Sequence, residues 1–246
     1  MKAMIFAAGL GTRLKPITDT MPKALVPVCG QPLLYHVITK LVAAGYDDLV
    51  VNVHHFPDQI IHYLHSHDFG ARIAVSDERD FLRETGGGIR YAAPLLGSEP
   101  FLVHNVDIVS NLDLQWLREQ HREGALVTLV ASERKTQRYF LFDEDNRLKG
   151  WTNIATGEVR SPYPDIDPDR CHKFAFAGIH LISPAIFDAF DKYGFGDRFS
   201  IVDFYLRACA DYPIYAAVPP DFTLVDVGKF DALPEAEATC ATILNN

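Results

Sequence analysis

Short apolar runs alternate along the chain with segments of helical periodicity, and this alternation restricts the fold more than any other feature. The first apolar run covers residues 3–7, and a helical pattern from Pro32 to about Ala44 separates it from residues 49–53. A second helical pattern, over residues 57–65, leads to the apolar run 73–75. Strands joined through helices form βαβ units, whose strands pair in parallel. We therefore predict a three-layer, Rossmann-like α/β fold with a mostly parallel sheet.

The second half of the chain departs from this alternation. The parallel pattern continues through a run at 101–106, a helix around 114–122 and a run at 126–130. Two apolar runs on either side of the polar turn 143–146 then predict a small antiparallel hairpin. Regular structure is predicted to resume with a strand at 174–182, helices after Pro184 and across 200–210, a strand at 214–218 and a last helix that reaches Leu244.

Length and composition favour one globular domain over the 246 residues. Apolar residues make up 48% of the chain and charged residues 22%, and no apolar run approaches the roughly 18 residues of a membrane span. These values exclude disordered, coiled-coil and membrane-spanning classes. The formal net charge of −9 disfavours binding to nucleic acid over a broad surface. Any anionic substrate must therefore meet a local concentration of cations.

The cysteines and the N-terminus predict a cytoplasmic location. Gly9, Gly11, Arg13 and Lys15 interrupt the first apolar run too early for a secretion signal. The cysteines lie far apart with no C-x-x-C pair, which favours a reducing compartment over a zinc site. We predict that all four are buried thiols: Cys29, Cys171, Cys209 and Cys240.

A glycine-rich segment directly follows the first predicted strand, where open α/β sheets place their ligands. Its sequence, A-A-G-L-G-T-R-L over residues 7–14, lets backbone N–H groups approach phosphates without interference from Cβ atoms. A dinucleotide fingerprint is excluded by Leu14 and by Pro16 and Pro22, which break the required helix. A Walker A loop is also excluded, because Gly-Lys-Ser and Gly-Lys-Thr do not occur.

Further motifs place charge near this loop. Arg13, Lys15 and Lys23 concentrate three cations in an acidic chain. A second glycine cluster, E-T-G-G-G at 84–88, precedes a predicted helix and suggests a close backbone approach. Asp107 and Asp226 each follow an apolar run, so both are expected at strand ends, and carboxylates suit Mg²⁺.

The order of these motifs resembles the sugar-1-phosphate nucleotidylyltransferase family, whose G-x-G-T-R-L pattern is followed by P-K and then by L-x-P-V. The matching segments here are residues 9–14, 22–23 and 25–28. Residues 84–88 resemble the loop on the nucleobase side, and F-A-G-I at 176–179 resembles the glycine segment on the sugar side. Asp107 and the D-V-G at 226–228 resemble the two metal-binding aspartate segments of the family.

The resemblance implies a nucleotide-diphospho-sugar transferase fold with a nucleotide half over about 1–110 and a sugar-phosphate half over about 111–246, which carries the hairpin. It implies that a nucleoside triphosphate and a sugar 1-phosphate give a nucleotide sugar and pyrophosphate, with Mg²⁺ as cofactor. By motif position, the implied site residues are Arg13 and Lys23 for catalysis; Ala8, Gly9, Gly11, Thr12, Glu84, Thr85 and Gly86 for the nucleotide; Asn105, Asn153 and Gly178 for the sugar; and Asp107 and Asp226 for the metal.

Within the family, the E-T-G-G-G loop and the closing V-D-V-G segment are most similar to uridylyltransferases that act on N-acetylmuramate 1-phosphate, enzymes of cell-wall recycling. Mannose-1-phosphate guanylyltransferases remain open as an alternative. A glycosyltransferase is less well matched, because it does not need the triphosphate loop. A non-catalytic protein that binds nucleotide sugars is a further alternative, although Arg13, Lys23, Asp107 and Asp226 are all present. The sequence leaves monomer and homodimer open.

Two departures from the family pattern affect substrate recognition. Residues 78–80 occupy the stretch where relatives place base-reading residues, and they include no Gln that could pair with uracil. The Glu-Lys-Pro segment that contacts the sugar phosphate in many relatives has no counterpart, since residues 149–153 read K-G-W-T-N. In that segment, Trp151 fits a sugar platform and a buried strand position equally well. The histidines between His54 and His67 fit a solvated helix face better than a metal site.

Overall fold

The computed structural model describes residues 1–228 and 230–244. The strands are β1 (Lys2–Phe6), β2 (Pro27–Val28), β3 (Gln31–Pro32), β4 (Asp48–Val53), β5 (Arg72–Asp77), β6 (Phe101–Asn105), β7 (Ile108–Ser110), β8 (Val127–Ser132), β9 (Arg138–Phe142), β10 (Leu148–Asn153), β11 (Glu158–Arg160), β12 (His172–Ile182), β13 (Ile214–Ala217) and β14 (Leu224–Asp226). The helices are α1 (Leu33–Ala43), α2 (Pro57–His65), α3 (Glu84–Tyr91), α4 (Ala93–Leu96), α5 (Leu114–Glu119), α6 (Ile186–Lys192), α7 (Ile201–Ala208) and α8 (Leu233–Leu244).

One ten-stranded sheet runs through both halves of the chain. Its parallel part has the order β6-β1-β4-β5, which confirms the predicted βαβ units. The sequence predicts that the parallel pattern continues to residues 126–130, most of which lie in β8. This expectation is wrong, because the strand between β6 and β8 is antiparallel. The long strand β12 lies between β6 and β8 and is antiparallel to both, while β13 pairs with β8 in parallel. Hydrophobic periodicity indicates that a strand exists but not which strand lies beside it.

Alternating side chains of the central strands enter two separate cores, which produces the three layers. Along β1, Ala3 and Ile5 join the core on one face, whereas Met4 joins the core on the other. Successive side chains of a strand point to opposite faces, so a strand that is apolar throughout needs helices on both sides. The first core is covered by α1, α2, α5 and α8, and the second by α3, α4, α6 and α7.

The predicted antiparallel hairpin is present as β9 and β10. The strand β11 extends it at the edge, and β9 pairs with the first residues of β12. Trp151 on β10 is half-buried and packs against the second core, with the Arg160 guanidinium 5.9 Å from its ring centroid. The structure therefore favours the buried strand position for Trp151 over the sugar platform.

The thiol prediction holds for only two cysteines. Cys209 and Cys240 are buried, but Cys29 and Cys171 are half-buried, and all four are unpaired. Within the described residues, no helix is long and apolar enough to span a membrane.

Two neutral histidines lie on adjacent strands in the middle of the sheet. His104 donates from Nδ1 to the carbonyl oxygen of Asn105 at 2.7 Å, and the Tyr205 hydroxyl bonds to Nδ1 of His180 at 2.6 Å. Burial, followed by the charge of Lys40, lowers the pKa of His104 to about 4. Burial and the neighbouring His104 lower the pKa of His180 to about 3.

We predict that these histidines make the fold sensitive to acid. Both are uncharged in the folded protein, whereas the unfolded chain binds protons below pH 6.5. Each histidine should therefore lower the unfolding free energy by about 1.4 kcal/mol per pH unit as the pH falls from 6.5 towards 4. Urea unfolding at pH 7, 6 and 5 should show a shallower pH dependence for His180→Gln. The exposed His62→Gln serves as the control, and equal slopes in both variants would contradict the prediction.

Candidate active site

The glycine-rich loop after β1 is held in shape by its own residues and by β4. The Ala7 N–H donates to Oδ1 of Asn52 at 2.8 Å, and the Thr18 hydroxyl donates to the Gly11 carbonyl at 2.8 Å. Gly11 has a φ of +64°, and a Cβ there would lie 2.7 Å from Cγ2 of Thr18, so this position requires glycine. Gly9 is exposed and a Cβ there would meet no atom within 4 Å. The backbone of the loop is thus fixed by contacts at Gly11, whereas at Gly9 it is accessible to solvent.

A buried network supports this loop from below. Nδ2 of Asn52 donates to Oε1 of Glu78 at 2.8 Å, and both side chains are buried. Burial raises the pKa of the Glu78 carboxyl. A Cβ on Gly88 would come within 3.0 Å of Oε1 of Glu78, so α3 packs directly on the same pair. Glu78 therefore supports the loop instead of reading a base from solvent.

The second glycine cluster lies inside α3, and the expectation that it precedes the helix is wrong. Gly86 donates its N–H to the Phe199 carbonyl at 2.9 Å, and a Cβ would lie 2.2 Å from the Phe199 ring. A Cβ on Gly87 would lie 2.3 Å from the Asp197 carbonyl oxygen. The glycines serve the close packing of α3 against the segment that leads to α7. Gly86, a predicted nucleotide-binding residue, does not line the cavity described next.

A cavity of about 400 Å³ opens at the carboxyl ends of β1 and β6. Seven of the predicted site residues line it: Ala8, Gly9, Lys23, Glu84, Thr85, Asn105 and Asp107. It is also lined by Ala7, from the glycine-rich segment, and by residues that the motifs did not indicate: Phe6, Asn52, Leu82, Val106 and Ser200. Of these, Asn52 could have been singled out from the sequence, because it is the one polar residue in the apolar run L-V-V-N-V. A larger cavity of about 830 Å³ between α1, β7 and α8 is lined by none of the predicted residues.

Lys23 and Asp107 form an ion pair within this cavity. Their side chains are 11% and 16% exposed, so water screens the pair only weakly. Lys23 begins a 3₁₀ turn after Pro22, and Asp107 lies in the turn between β6 and β7. In the described residues Asp107 therefore already has a cationic partner.

The second aspartate is joined to the first by backbone pairing. Asp226 ends β14, where it lies opposite Ile108 of β7, and the Val227 N–H donates to the Asp107 carbonyl at 2.8 Å. Oδ1 of Asp226 is buried and has no hydrogen-bond partner among the described residues. A buried carboxylate oxygen without a partner is costly unless something binds it.

This arrangement fits a divalent metal held by two carboxylates. The described residues contain no group of three or more His, Cys, Asp or Glu side chains that could hold a metal by themselves. Mg²⁺ is bound through one or two carboxylates together with substrate phosphates and water. Asp107 and Asp226 are two carboxylates of the kind that such a site uses, and the backbone joins their two segments.

Arg13 approaches Asp226 from the glycine-rich loop. A Cβ on Gly228 would lie 2.6 Å from Oδ1 of Asp226 and 2.7 Å from Nη2 of Arg13. The missing side chain at Gly228 therefore leaves a space that the Asp226 carboxylate and the Arg13 guanidinium both border, and Oδ1 of Asp226 makes no hydrogen bond to Arg13 in the described residues. Arg13 and Thr12 are both exposed in the 3₁₀ turn that follows Gly11.

The predicted sugar-side residues separate into two groups. β12 is irregular opposite β8 between Phe176 and His180, and Gly178 has a φ of +74° there. A Cβ on Gly178 would lie 2.6 Å from Nδ2 of Asn105, so Gly178 and Asn105 belong to one wall. Asn153 lies at the end of β10, where its Oδ1 accepts the Ala155 N–H at 3.1 Å. Asn153 caps its own turn and does not line the cavity.

We predict that α3 cannot accept side chains at its glycines. Gly87→Ala should lower the unfolding free energy by about 1–3 kcal/mol, because the methyl group would overlap the Asp197 carbonyl and force the backbone to move. Urea unfolding measures the change. Gly196→Ala is the control, since a Cβ there meets no atom within 4 Å. Equal stability of the two variants would refute this packing role.

The comparisons with known proteins agree with this geometry. The profile of the nucleotidyl transferase family matches residues 2–151. The N-acetylmuramate alpha-1-phosphate uridylyltransferase of Caulobacter vibrioides is 34% identical over 97% of this chain and 96% of its own length. The mannose-1-phosphate guanyltransferase of Hypocrea jecorina is 36% identical, but the match covers 54% of this chain and 38% of that protein.

Among solved structures, HddC from Yersinia pseudotuberculosis has the same fold, with a TM-score of 0.77, 21% identity and coverage of 97% of this chain and 99% of that one. The predicted nucleotide-diphospho-sugar transferase fold is thus confirmed. The chain belongs to the nucleotidyl transferase family and is a sugar-1-phosphate nucleotidyltransferase.

Proposed function

We propose that the protein joins UTP to N-acetylmuramate 1-phosphate, giving the UDP sugar and pyrophosphate. The observation that supports this most is the 34% identity to the Caulobacter uridylyltransferase, which extends over both halves of the chain. The match to the Hypocrea guanyltransferase covers only about half of this chain. The product would return a cell-wall sugar to the pool of nucleotide sugars.

The reaction needs charge neutralisation more than proton transfer. An oxygen of the sugar phosphate attacks the α-phosphorus of the nucleoside triphosphate, a new P–O bond forms, and the bond to pyrophosphate breaks. A phosphomonoester has a second pKa near 6 and is largely dianionic at pH 7, so the nucleophile requires no general base. Repulsion between two such anions amounts to about 4 kcal/mol per pair of unit charges at contact and an effective dielectric constant near 20.

We assign that neutralisation to Lys23, which lines the cavity, and to Arg13, which lies in the turn after Gly11. Lys23 would stabilise charge on the α-phosphate, and Arg13 would hold the triphosphate and the leaving pyrophosphate. The open backbone at Gly9, with Ala8, would accommodate the phosphates, while Glu84 and Thr85 line the nucleoside side. Asn105 and Gly178 form the wall that would face the sugar.

Asp107 and Asp226 would hold Mg²⁺, which supplies positive charge next to the reacting phosphates when it is bound. The partnerless Oδ1 of Asp226 and the backbone link between the two aspartate segments support this assignment. Asp107 also pairs with Lys23, so the ammonium group of Lys23 lies next to a proposed metal ligand.

The substrate assignment predicts one productive pair. Pyrophosphate release with Mg²⁺ should be fastest for UTP with N-acetylmuramate 1-phosphate, in a grid of UTP, GTP, CTP, ATP and dTTP against the 1-phosphates of N-acetylmuramate, mannose, N-acetylglucosamine and glucose. Asp107→Ala and Lys23→Ala should each lose about 10²–10³ in rate, by analogy with other charge-stabilising groups. Asp188→Ala, exposed on α6, is the control.

Two results would overturn the assignment. Turnover confined to GTP with mannose 1-phosphate would make the protein a guanylyltransferase. Binding of a nucleotide sugar without turnover of any pair would indicate a regulatory protein.

The space at Gly228, which Arg13 and Asp226 both border, predicts the effect of adding a side chain there. Gly228→Ala places a methyl group within 2.7 Å of both side chains and should lower kcat by about 10². The unfolding free energy should change little, because the guanidinium is the far end of a flexible side chain. If Gly228→Ala is as active as Gly196→Ala, the proposed roles of Arg13 and Asp226 in the reaction are refuted.

A further inference from the structure

A third cavity, of about 630 Å³, lies at the carboxyl ends of β8 and β13. Ser132 and Arg134 line it from the β8 side, and the segment from Val218 to Leu224 lines it from the other. Leu224 lies two residues before Asp226, which spans about 7 Å of extended strand. The cavity therefore begins about one hexose away from the proposed metal ligand.

Arg134 connects this cavity with the irregular part of β12. Its Nη2 donates to the Phe176 carbonyl at 3.1 Å, two residues before Gly178. Irregular positions in strands redirect side chains and are frequent beside active sites. Arg134 thus contacts the irregular segment of β12 that also contains Gly178.

The polar groups of the cavity match a sugar that carries a carboxylate. Among the described residues, Arg134 has no acidic partner, so its charge is available to an anion. Ser132 is 7% exposed, and its Oγ is buried without a hydrogen-bond partner in the described part of the chain. The other charged lining residues, Glu133 and Asp221, can accept hydrogen bonds from sugar hydroxyls but would repel a carboxylate.

We propose that Arg134 binds the carboxylate of an acidic sugar 1-phosphate and thereby selects it over neutral sugars, with the Ser132 hydroxyl as a second contact. This inference rests on the proposed function, since N-acetylmuramate differs from N-acetylglucosamine by an ether substituent that ends in a carboxylate. A guanidinium recognises a carboxylate through paired, charge-assisted hydrogen bonds. Arg134 is then a specificity residue that takes no part in bond breaking.

The test compares kcat/KM for two sugars with UTP, in wild type and in variants. Arg134→Gln keeps a polar side chain with N–H donors but removes the charge. We expect a 10- to 100-fold lower kcat/KM for N-acetylmuramate 1-phosphate, mainly through a higher KM, and a change of less than threefold for N-acetylglucosamine 1-phosphate. Arg134→Lys should recover part of the loss. Arg138→Gln, a nearby exposed arginine that does not line this cavity, should behave as wild type.

The outcomes separate this inference from the proposed function. Suppose that wild type prefers N-acetylmuramate 1-phosphate. If Arg134→Gln then leaves this preference unchanged, or lowers kcat/KM equally for both sugars, the role of Arg134 is refuted and the proposed function stands. If wild type prefers the neutral sugar, both fail.

Discussion

The backbone pairing of β7 with β14 is the constraint on which the reaction site depends. It places Asp226 beside the Asp107 turn, although the two residues are far apart in the chain, and the bond from the Val227 N–H to the Asp107 carbonyl fixes their relative position. Two carboxylates held this close repel each other unless cations share the space. Lys23 and Arg13 come from one short segment after β1; Lys23 pairs with Asp107, and Arg13 borders the same space at Gly228 as Asp226. The charged groups of the site thus come from three regions of the sequence: the segment after β1, the Asp107 turn and the end of β14.

The sheet makes these regions meet at one edge. β1 and β6 are parallel neighbours, so the glycine-rich loop and the Asp107 turn leave the sheet at the same end. β12 enters antiparallel beside β6, and its irregular segment at Gly178 lies against Asn105 at that same end. The glycine-rich loop and the wall formed by Asn105 and Gly178 therefore belong to a single sheet, and relative movement between them requires distortion of its hydrogen-bonded strands.

Sequence reasoning located the parts of this site that lie within continuous motifs. The glycine-rich loop, Lys23 and the two aspartates were predicted from order and spacing, and the structure brings them together, although their chemical roles remain proposals. The support beneath the loop was not predictable, because the contact between Asn52 and Glu78 depends on β4 and β5 being adjacent. The glycines of α3 were predicted to allow a close backbone approach to a ligand. The Cα atoms of the first two instead pack against residues 197–199, a segment more than a hundred residues away in the chain. Asn153 was placed by analogy in a stretch without a matching motif, and its side chain closes a local turn.

The ion pair between Lys23 and Asp107 also determines how mutational data on this site must be interpreted. Removing the carboxylate leaves the ammonium group in a poorly solvated place, and removing the ammonium group leaves the carboxylate there. Either single variant therefore changes the electrostatics of the residue that remains, and the two losses cannot be added. Energetically, Lys23 and Asp107 are one unit, whose contribution can be divided between them only through a double-mutant cycle.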